Sequence, residues 1–271
     1  MELYATMKEG GRAPQRYLLL EVSPDLRERQ RALVAERFPQ ELDRFVWIDR
    51  LPEKIRGFVV ANEVLDVVPF SLVHRRRGEL LERGVILSDA GFAWDDQPMP
   101  DGDLKRRAAA VFPPGDYDYL SEIGLAAEAL VRTLAASLEA GVALFIDYGF
   151  PEREFYHPQR SMGTLRCHYR HRFHGDPFFM PGLQDITAHV DFTSIRTAAE
   201  EEGLQTLGFL DQTYFLLGLF SDATSPDTAR LRALKTLIMP GGLGSTMKVL
   251  IFGKGVGTPA LRGCSFRMRV T

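Results

Sequence analysis

Short apolar runs alternate with amphipathic segments along most of the chain. The apolar runs are rich in valine, isoleucine and leucine, which is typical of buried strands, whereas the segments between them have helical spacing. Strands and helices that alternate in this way predict an α/β fold with a mostly parallel sheet and helices on both faces. The predicted strands are Arg16–Val22, Phe45–Ile48, Gly57–Ala61, Val142–Ile146, Thr206–Phe209 and Met247–Phe252.

Caps and glycines mark the ends of the predicted helices. Ser23-Pro24-Asp25 and Ser225-Pro226-Asp227 each combine a hydroxyl cap, a proline at the first helical position and an acid. The segment Tyr214–Phe220 is apolar and is compatible with either a strand or a helix. The predicted helices are residues 2–8, which Gly10 ends; 24–37, which Pro39 ends; 123–138, which Gly141 ends; 193–202, which Gly203 ends; and one from about 226 that ends before Pro240.

We predict a single domain of residues 1–271. Two insertions interrupt its alternation of strands and helices. Phe70–His74 and Glu79–Ile86 flank a short Arg-Gly tip and predict a β-hairpin, whose Arg75–Arg77 run is read as solvated rather than as a basic patch. Residues 88–118 are rich in Asp, Gly and Pro and are predicted to be mostly loop, so that a hairpin and loop insertion covers about 70–118. Residues 151–191 form a second, long polar insertion, which is predicted to be functional.

Polar residues cluster where the predicted strands end. In an open α/β sheet, ligands bind beyond the carboxyl ends of the strands, so these residues are candidates for a site. A commoner explanation is also open for one group: Asn62 could cap a following helix, with Glu63 and Asp66 in its first turn. The residues concerned are Glu21, Asp49, Asn62, Glu63, Asp66, Asp147 and Tyr148.

Composition and charge argue against nucleic-acid-binding, membrane-spanning and disulfide-rich secreted proteins. The 271 residues are 45% hydrophobic and 25% charged, and 33 basic against 36 acidic residues give no electrostatic case for nucleic acid or an anionic membrane. No apolar run approaches the ~20 residues that span a bilayer, and residues 1–10 do not resemble a signal peptide. The two cysteines do not make a disulfide framework. We therefore expect a reducing location, the cytoplasm of a bacterium or the mitochondrial matrix of a eukaryote.

A metal site is an alternative in the second insertion. Cys167, His168, His171 and His174 are dense there, and His-x-x-His-x-x-His could bind zinc if the segment is a turn. On a strand, however, His168 and His171 would face opposite sides. No Cys-x-x-Cys pair accompanies them, so we predict no metal.

Four blocks of sequence, in this order, resemble the MidA-like family. That family includes the mitochondrial complex I assembly factor that methylates an arginine, and the resemblance covers roughly residues 3–255. It implies a class I methyltransferase fold, a seven-stranded sheet whose last strand is antiparallel, with S-adenosyl-L-methionine as cofactor. It also implies a protein arginine as acceptor, for example on a respiratory complex I subunit. The blocks are Ala61-Asn62-Glu63-x-x-Asp66-x-x-Pro69, Ile146-Asp147-Tyr148-Gly149, Tyr156-His157-Pro158-x-Arg160-x-x-Gly163-Thr164-Leu165 and Gln184–Phe192.

The resemblance implies three cofactor contacts. Glu21 would accept hydrogen bonds from the ribose hydroxyls, as acids at this position do in dinucleotide folds. Asp49 would meet the adenine amino group, and Asn62 would lie at the methyl end of the cofactor.

On the acceptor side, Glu63 and Asp66 are the candidate catalytic residues. They would hold the guanidinium through paired hydrogen bonds, and one of them, left open here, would take its proton. Four further residues are candidate substrate contacts, although the last two could equally be helix-capping residues, since Asp191 directly precedes a helix. These four are Asp147, Tyr148, Asp185 and His189.

One expected motif is missing from the sequence. The family's first strand leads into a glycine-rich loop for the cofactor, but the chain has no G-x-G-x-G, and its glycine pairs at Gly10 and Gly241 are differently placed. We therefore expect the first strand and its loop to be absent. The alternative function is a non-catalytic assembly or scaffold protein that has lost cofactor binding.

Overall fold

The computed structural model describes residues 1–170, 172–220, 228–239 and 242–265. The chain divides into two compact units, Met1–Lys54 and Ile55–Thr271. The predicted helix start at Ser225-Pro226-Asp227 and the proline at Pro240 lie outside the described residues. No helix in the described ranges is long and apolar enough to cross a membrane. The single domain of residues 1–271 stays a prediction.

The first unit consists of two helices and a pair of parallel strands. Its elements are α1 (Glu2–Glu9), β1 (Tyr17–Leu20), α2 (Pro24–Arg37) and β2 (Phe45–Ile48), with a short 3-10 segment at Pro39–Arg44. The Ser23 side chain accepts a hydrogen bond from the Leu26 amide at 3.4 Å, which confirms the predicted helix start. Tyr4, Val34, Phe38 and Phe45 form the buried core of this unit.

The second unit contains the larger sheet. Its strands are β3 (Ile55–Asn62), β4 (Ser71–Arg76), β5 (Glu79–Ser88), β6 (Gly91–Pro98), β7 (Tyr119–Ile123), β8 (Leu138–Phe150), β9 (Arg166–Tyr169), β10 (Arg172–His174), β11 (Asp185–Thr187), β12 (Val190–Asp191), β13 (Gln205–Asp211) and β14 (Met247–Lys254). Its helices are α3 (Asp103–Val111), α4 (Leu125–Ser137), α5 (Glu152–Phe155), α6 (Phe192–Glu201), α7 (Gln212–Phe220), α8 (Thr228–Ile238) and α9 (Leu243–Thr246).

Strand β8 is the centre of this sheet. It pairs in parallel with β3 and, through its last two residues, with β12, while β14 pairs with it antiparallel and carries β13. Buried residues of β14 such as Val249 and Leu250 lie in the core. The antiparallel direction of the last strand is as predicted. The apolar segment that the sequence left open, Tyr214–Phe220, lies in helix α7.

The predicted hairpin is present, but the prediction of a loop over residues 88–118 is wrong. Strands β4 and β5 pair antiparallel, and β6 then pairs with β5 from Ser88 and Gly91 to Leu81 and Pro98. Together with β7 they form a four-stranded sheet, and α3 follows β6. Cross-strand pairing stabilises β6 despite its Asp-rich sequence: the Arg83 guanidinium binds the Asp96 carboxylate at 2.7 Å.

The predicted helix over 123–138 and the strand after it have different bounds. Ile123 belongs to β7, and β8 begins at Leu138, three residues before the glycine that was expected to end the helix. Gly141 lies inside β8 at φ +148°, where a Cβ atom would be 1.9 Å from the carbonyl oxygen of Gly57. The glycine is required by the close approach of β3, not by a helix end.

The second insertion has secondary structure of its own. Strands β10, β9 and β11 make a small antiparallel sheet between α5 and β12. Several large apolar side chains on it are exposed, Phe173 by 75% and Leu183 by 65%.

Candidate functional site

A turn, not a helix, follows β3, so the interpretation of Asn62 as a helix cap is wrong. Asn62 ends β3, and Glu63 has a left-handed backbone at φ +50°, which is unusual for a residue with a side chain. The Glu63 amide donates to the carbonyl of Ile146 at 2.9 Å, and the Asn62 side-chain amide donates to the Glu63 carboxylate at 3.2 Å. Strained residues of this kind occur at ligand sites when their surroundings hold them in place.

The carboxylate of Asp147 binds the backbone of this turn. One of its carboxylate oxygens accepts hydrogen bonds from the amides of Val64 at 3.1 Å and Leu65 at 2.8 Å, and the other accepts from the Tyr148 amide. Burial raises the pKa of Asp147 to about 6, against the opposing effect of these amides. The sequence placed Asp147 after the strand end, but it lies inside β8, opposite Lys248, and is 1% exposed. Any role in substrate binding is therefore indirect, through the turn.

Asp66 lies at the inner end of the same turn. It is 5% exposed, and its carbonyl accepts a hydrogen bond from the Ala188 amide at 3.0 Å. Its Oδ1 atom is buried and has no hydrogen-bond partner among the described residues. Burial, and then the charges of Asp147 and Glu63, raise the pKa of Asp66 to about 7. Its carboxyl group can therefore gain or lose a proton near neutral pH.

Tyr148 and His189 place aromatic rings beside these carboxylates. The two rings are nearly parallel, with centroids 6.3 Å apart, and Phe150 packs against His189 at 5.2 Å. Burial raises the pKa of Tyr148, and the nearby charges of Glu63 and Asp66 raise it further. Burial lowers the pKa of His189 to about 4, so its ring is neutral at pH 7. Carboxylates beside neutral aromatic rings suit a planar cation such as a guanidinium.

Sequence reasoning missed a buried carboxylate, Glu122, that holds the backbone of His189 in place through Thr164. Glu122 of β7 is 3% exposed and accepts hydrogen bonds from the amides of Thr164 at 2.7 Å and Leu165 at 2.8 Å. The Thr164 hydroxyl donates to Glu122 at 3.1 Å and accepts from the His189 amide at 2.9 Å. Burial raises the pKa of Glu122. At Gly163, with φ +69°, a Cβ atom would be 2.5 Å from the Glu122 carboxylate, so the glycine belongs to this contact.

The remaining predicted residues of the insertion lie apart from this cluster or serve the fold. Asp185 is exposed on β11, opposite His168 of β9. Asp191 caps α6, with its carboxylate accepting from the amides of Thr193 at 3.0 Å and Ser194 at 3.3 Å. The alternative that Asp185 and His189 are helix-capping residues is therefore wrong, because the residue that caps α6 is Asp191.

The predicted cofactor residues Glu21 and Asp49 lie in the first unit, directly after β1 and β2. The Glu21 carboxylate accepts from the Ser23 amide at 2.9 Å and from the Gln30 side chain at 3.0 Å. These donors orient the group, and each oxygen keeps capacity to accept a further hydrogen bond, so Glu21 fits a ribose hydroxyl. Asp49 is exposed.

The alternative of a zinc site involves Cys167 and three histidines, of which the structure describes all but His171. Across the described ranges, no group of three or more His, Cys, Asp or Glu side chains could hold a metal ion. His171 lies outside those ranges. Cys167 is buried on β9, whereas the next residue, His168, is exposed.

In comparisons with known proteins, the chain matches a methyltransferase family model and curated methyltransferases. A family model described as "Putative S-adenosyl-L-methionine-dependent methyltransferase" matches residues 4–210. A curated relative from Drosophila melanogaster, "Protein arginine methyltransferase NDUFAF7 homolog, mitochondrial", is 30% identical over 190 residues, which is 65% of this chain and 40% of that protein. The mouse protein arginine methyltransferase NDUFAF7 is 30% identical over 132 residues, 49% of this chain and 26% of that protein. The chain thus spans less than half the length of these relatives.

A solved structure is similar over almost the whole chain. It is a "likely methyl transferase" from Burkholderia thailandensis bound to S-adenosyl-homocysteine, with 40% sequence identity and a TM-score of 0.88. The similarity covers 97% of this chain and 70% of that one. A second crystal structure from the same species, without a stated ligand, has a TM-score of 0.87 at 40% identity and covers 96% of this chain and 72% of that one.

Proposed function

Because the chain belongs to the MidA-like family of S-adenosyl-L-methionine-dependent methyltransferases, we propose that it methylates an arginine side chain of a protein. The resemblance and the α/β class I methyltransferase fold that the sequence predicted are confirmed by the family match and the solved relatives. The observation that carries the arginine assignment is the turn after β3. It brings the carboxylates of Glu63 and Asp66 close enough to Tyr148 for their charges to add to the effect of burial in raising its pKa, which supports a site for a cation.

Glu63 holds the acceptor guanidinium in this proposal. Its carboxylate is exposed, and both its backbone and its neighbour Asn62 fix it by hydrogen bonds. A carboxylate can bind a guanidinium through two parallel hydrogen bonds, which orient the nitrogen as well as place it. Since methyl transfer needs an in-line approach at about 3–3.5 Å, this orientation supplies much of the rate.

Asp66 takes the proton. A guanidinium nitrogen that forms a bond to carbon must lose one N–H proton, and the electron pair of that N–H bond stays on nitrogen. Asp66 suits this role better than Glu63, because it is buried, has an unpartnered oxygen and has a pKa raised to about 7. Proton transfer of this kind contributes about 10²–10⁴-fold to a rate.

The cofactor residues follow from the resemblance and from the relative that binds S-adenosyl-homocysteine. When bound, S-adenosyl-L-methionine supplies an electrophilic methyl group on a sulfonium. We assign Glu21 to its ribose hydroxyls, Asp49 to its adenine amino group and Asn62 to the end that carries the methyl group. The acceptor protein to test first is a respiratory complex I subunit, because the family resemblance implies it.

Isothermal calorimetry with S-adenosyl-homocysteine tests cofactor binding. We expect binding by the wild-type chain and affinity at least tenfold lower for Glu21→Gln, since the amide replaces one acceptor oxygen by a donor. Glu28→Gln, an exposed carboxylate on α2 in the same unit, is the matched control and should bind as the wild type does. No heat with the wild-type chain would favour the scaffold alternative and overturn the enzymatic one.

A further inference from the structure

A small cavity lies behind the turn after β3. Its volume is about 30 Å³, and Asp66 and His189 both line it. Each of these side chains has one buried polar atom without a hydrogen-bond partner among the described residues, Oδ1 of Asp66 and Nδ1 of His189. Glu122, Tyr156 and Asp191 add polar groups to the lining.

The size and the lining of the cavity fit one water molecule. A buried water needs about 10–15 Å³ of accessible volume and two to four polar partners. The cavity exceeds this volume, and two residues that line it each have an unpartnered buried polar atom. Burying a polar atom without a partner is costly, and a bridging water would satisfy Asp66 and His189 together. An apolar cavity of the same volume would give no such reason for water to enter.

We propose that this cavity holds an ordered water molecule that joins the Asp66 carboxyl group to the His189 imidazole, and that the three groups form a path by which the acceptor's proton leaves the site. The proton path rests on the proposed methyltransferase function, but the water link does not. His189 acts through Asp66 and is therefore a positioning and relay residue rather than a catalytic one.

The proton transfers balance without any further reagent. The N–H bond of the acceptor breaks, and its proton forms an O–H bond with the Asp66 carboxylate. Asp66 then gives a proton to the water, and the water gives one of its own protons to Nδ1 of His189. The imidazolium passes its proton to bulk solvent, and Asp66 and His189 return to their starting states.

The charges around His189 favour rapid release of that proton. Burial, together with the nearby positive charges of Arg160, Arg166 and Lys248, lowers the pKa of His189 to about 4. On the Asp66 side, the facing groups are Asp147 and Glu63, which are both acidic. The histidine is therefore a transient carrier, and the aspartate is the group that holds the proton longer.

Backbone contacts fix the two partners relative to each other. The Ala188 amide donates to the Asp66 carbonyl, and the next amide, that of His189, donates to the Thr164 hydroxyl. Glu122 in turn holds Thr164 through two hydrogen bonds. A proton relay needs fixed donor and acceptor positions, and these contacts provide them on both sides of the cavity.

The water link can be tested without cofactor or substrate, by ¹⁵N NMR titration of the His189 ring. Because Asp66 ionises near pH 7 and His189 stays neutral there, we expect the chemical shift of the His189 Nδ1 atom to show a step near pH 7 that is lost in Asp66→Asn. Asp89→Asn removes an exposed carboxylate between β5 and β6 and should keep the step. No step at Nδ1 near pH 7 in the wild type, or the same step in Asp66→Asn, would overturn the link.

The relay is tested by kinetics on the full chain. His189→Gln should lower kcat by about tenfold or more with little change in KM, and should alter the pH profile of kcat. His168→Gln, an exposed histidine on β9, is the matched control and should retain the wild-type kcat. Wild-type kcat in His189→Gln would overturn the relay. If the wild type transfers no methyl group, the proposed function fails, while the NMR result still decides the water link.

Discussion

Glu63 shows how far a single residue can be predicted. Its position after a strand marks it as a candidate without any structure, since acids at strand ends face the ligand side of the sheet. Its left-handed backbone could not be predicted, because it depends on the hydrogen bond from its amide to Ile146 in β8. The same limit applies to Glu122, whose partner Thr164 is 42 residues away in the chain.

The strain at Glu63 predicts opposite effects on stability and activity. Glu63→Gly should raise the free energy of unfolding by about 0.5–1 kcal/mol, because glycine adopts φ +50° without a Cβ clash. The same variant should abolish methyl transfer. Denaturant unfolding and a transfer assay measure the two effects.

The matched control is Arg77→Gly at the β4–β5 tip, where φ is also +50°. It should gain stability by a similar amount and keep full activity. A loss of stability in Glu63→Gly, or full activity in it, would contradict the account.

The raised pKa of Asp66 makes the free energy of unfolding depend on pH. A carboxyl whose folded pKa is raised from 3.8 to about 7 contributes stability at low pH that is lost as pH rises through that interval. Asp66→Asn cannot ionise, so its stability relative to the wild type should rise by on the order of 3 kcal/mol between pH 4 and pH 7.5. Urea unfolding of both proteins at each pH gives this difference. A pH-independent difference would show that Asp66 is not perturbed.

At the scale of elements, the turn after β3 depends on β8. The alternation of strands and helices was predictable because buried strands are apolar and helices are capped. Two of the wrong predictions have clear physical reasons: β6 is stabilised by its pairing with β5, and Gly141 serves strand packing instead of ending a helix. The sequence could not decide between a helix cap and a turn here, because the carboxylate that binds the turn's amides, Asp147, comes from another strand.

That dependence predicts a local effect of removing Asp147. Asp147→Ala takes away the acceptor for the amides of Val64 and Leu65, and each hydrogen bond to a charged group contributes about 1.5–3 kcal/mol. We expect hydrogen exchange at these two amides to accelerate by more than tenfold, and unfolding to become easier by about 3 kcal/mol. Asp101→Ala, at an exposed surface pair with Lys105, should change neither. Unchanged protection at both amides would contradict the supporting role of Asp147.

At the scale of the whole molecule, the chain consists of two compact units, and the predicted site residues are divided between them. Glu21 and Asp49 belong to residues 1–54, and the carboxylate cluster belongs to residues 55–271. The fold class was predictable from sequence because strands and helices alternate through both units, while the family motifs lie in the second unit. The acceptor was not, since a fold does not specify its substrate.

The central claim is that Glu63 and Asp66 present an arginine for methylation. The direct measurement uses S-adenosyl-L-methionine with a labelled methyl group and protein extract from cells that lack this gene, followed by hydrolysis and amino-acid analysis. The account predicts label in methylarginine with the wild type, and at least about a hundredfold less with Glu63→Gln or Asp66→Asn. Asp89→Asn should match the wild type. Label in lysine, histidine or a small molecule, or undiminished transfer by both variants, would contradict it.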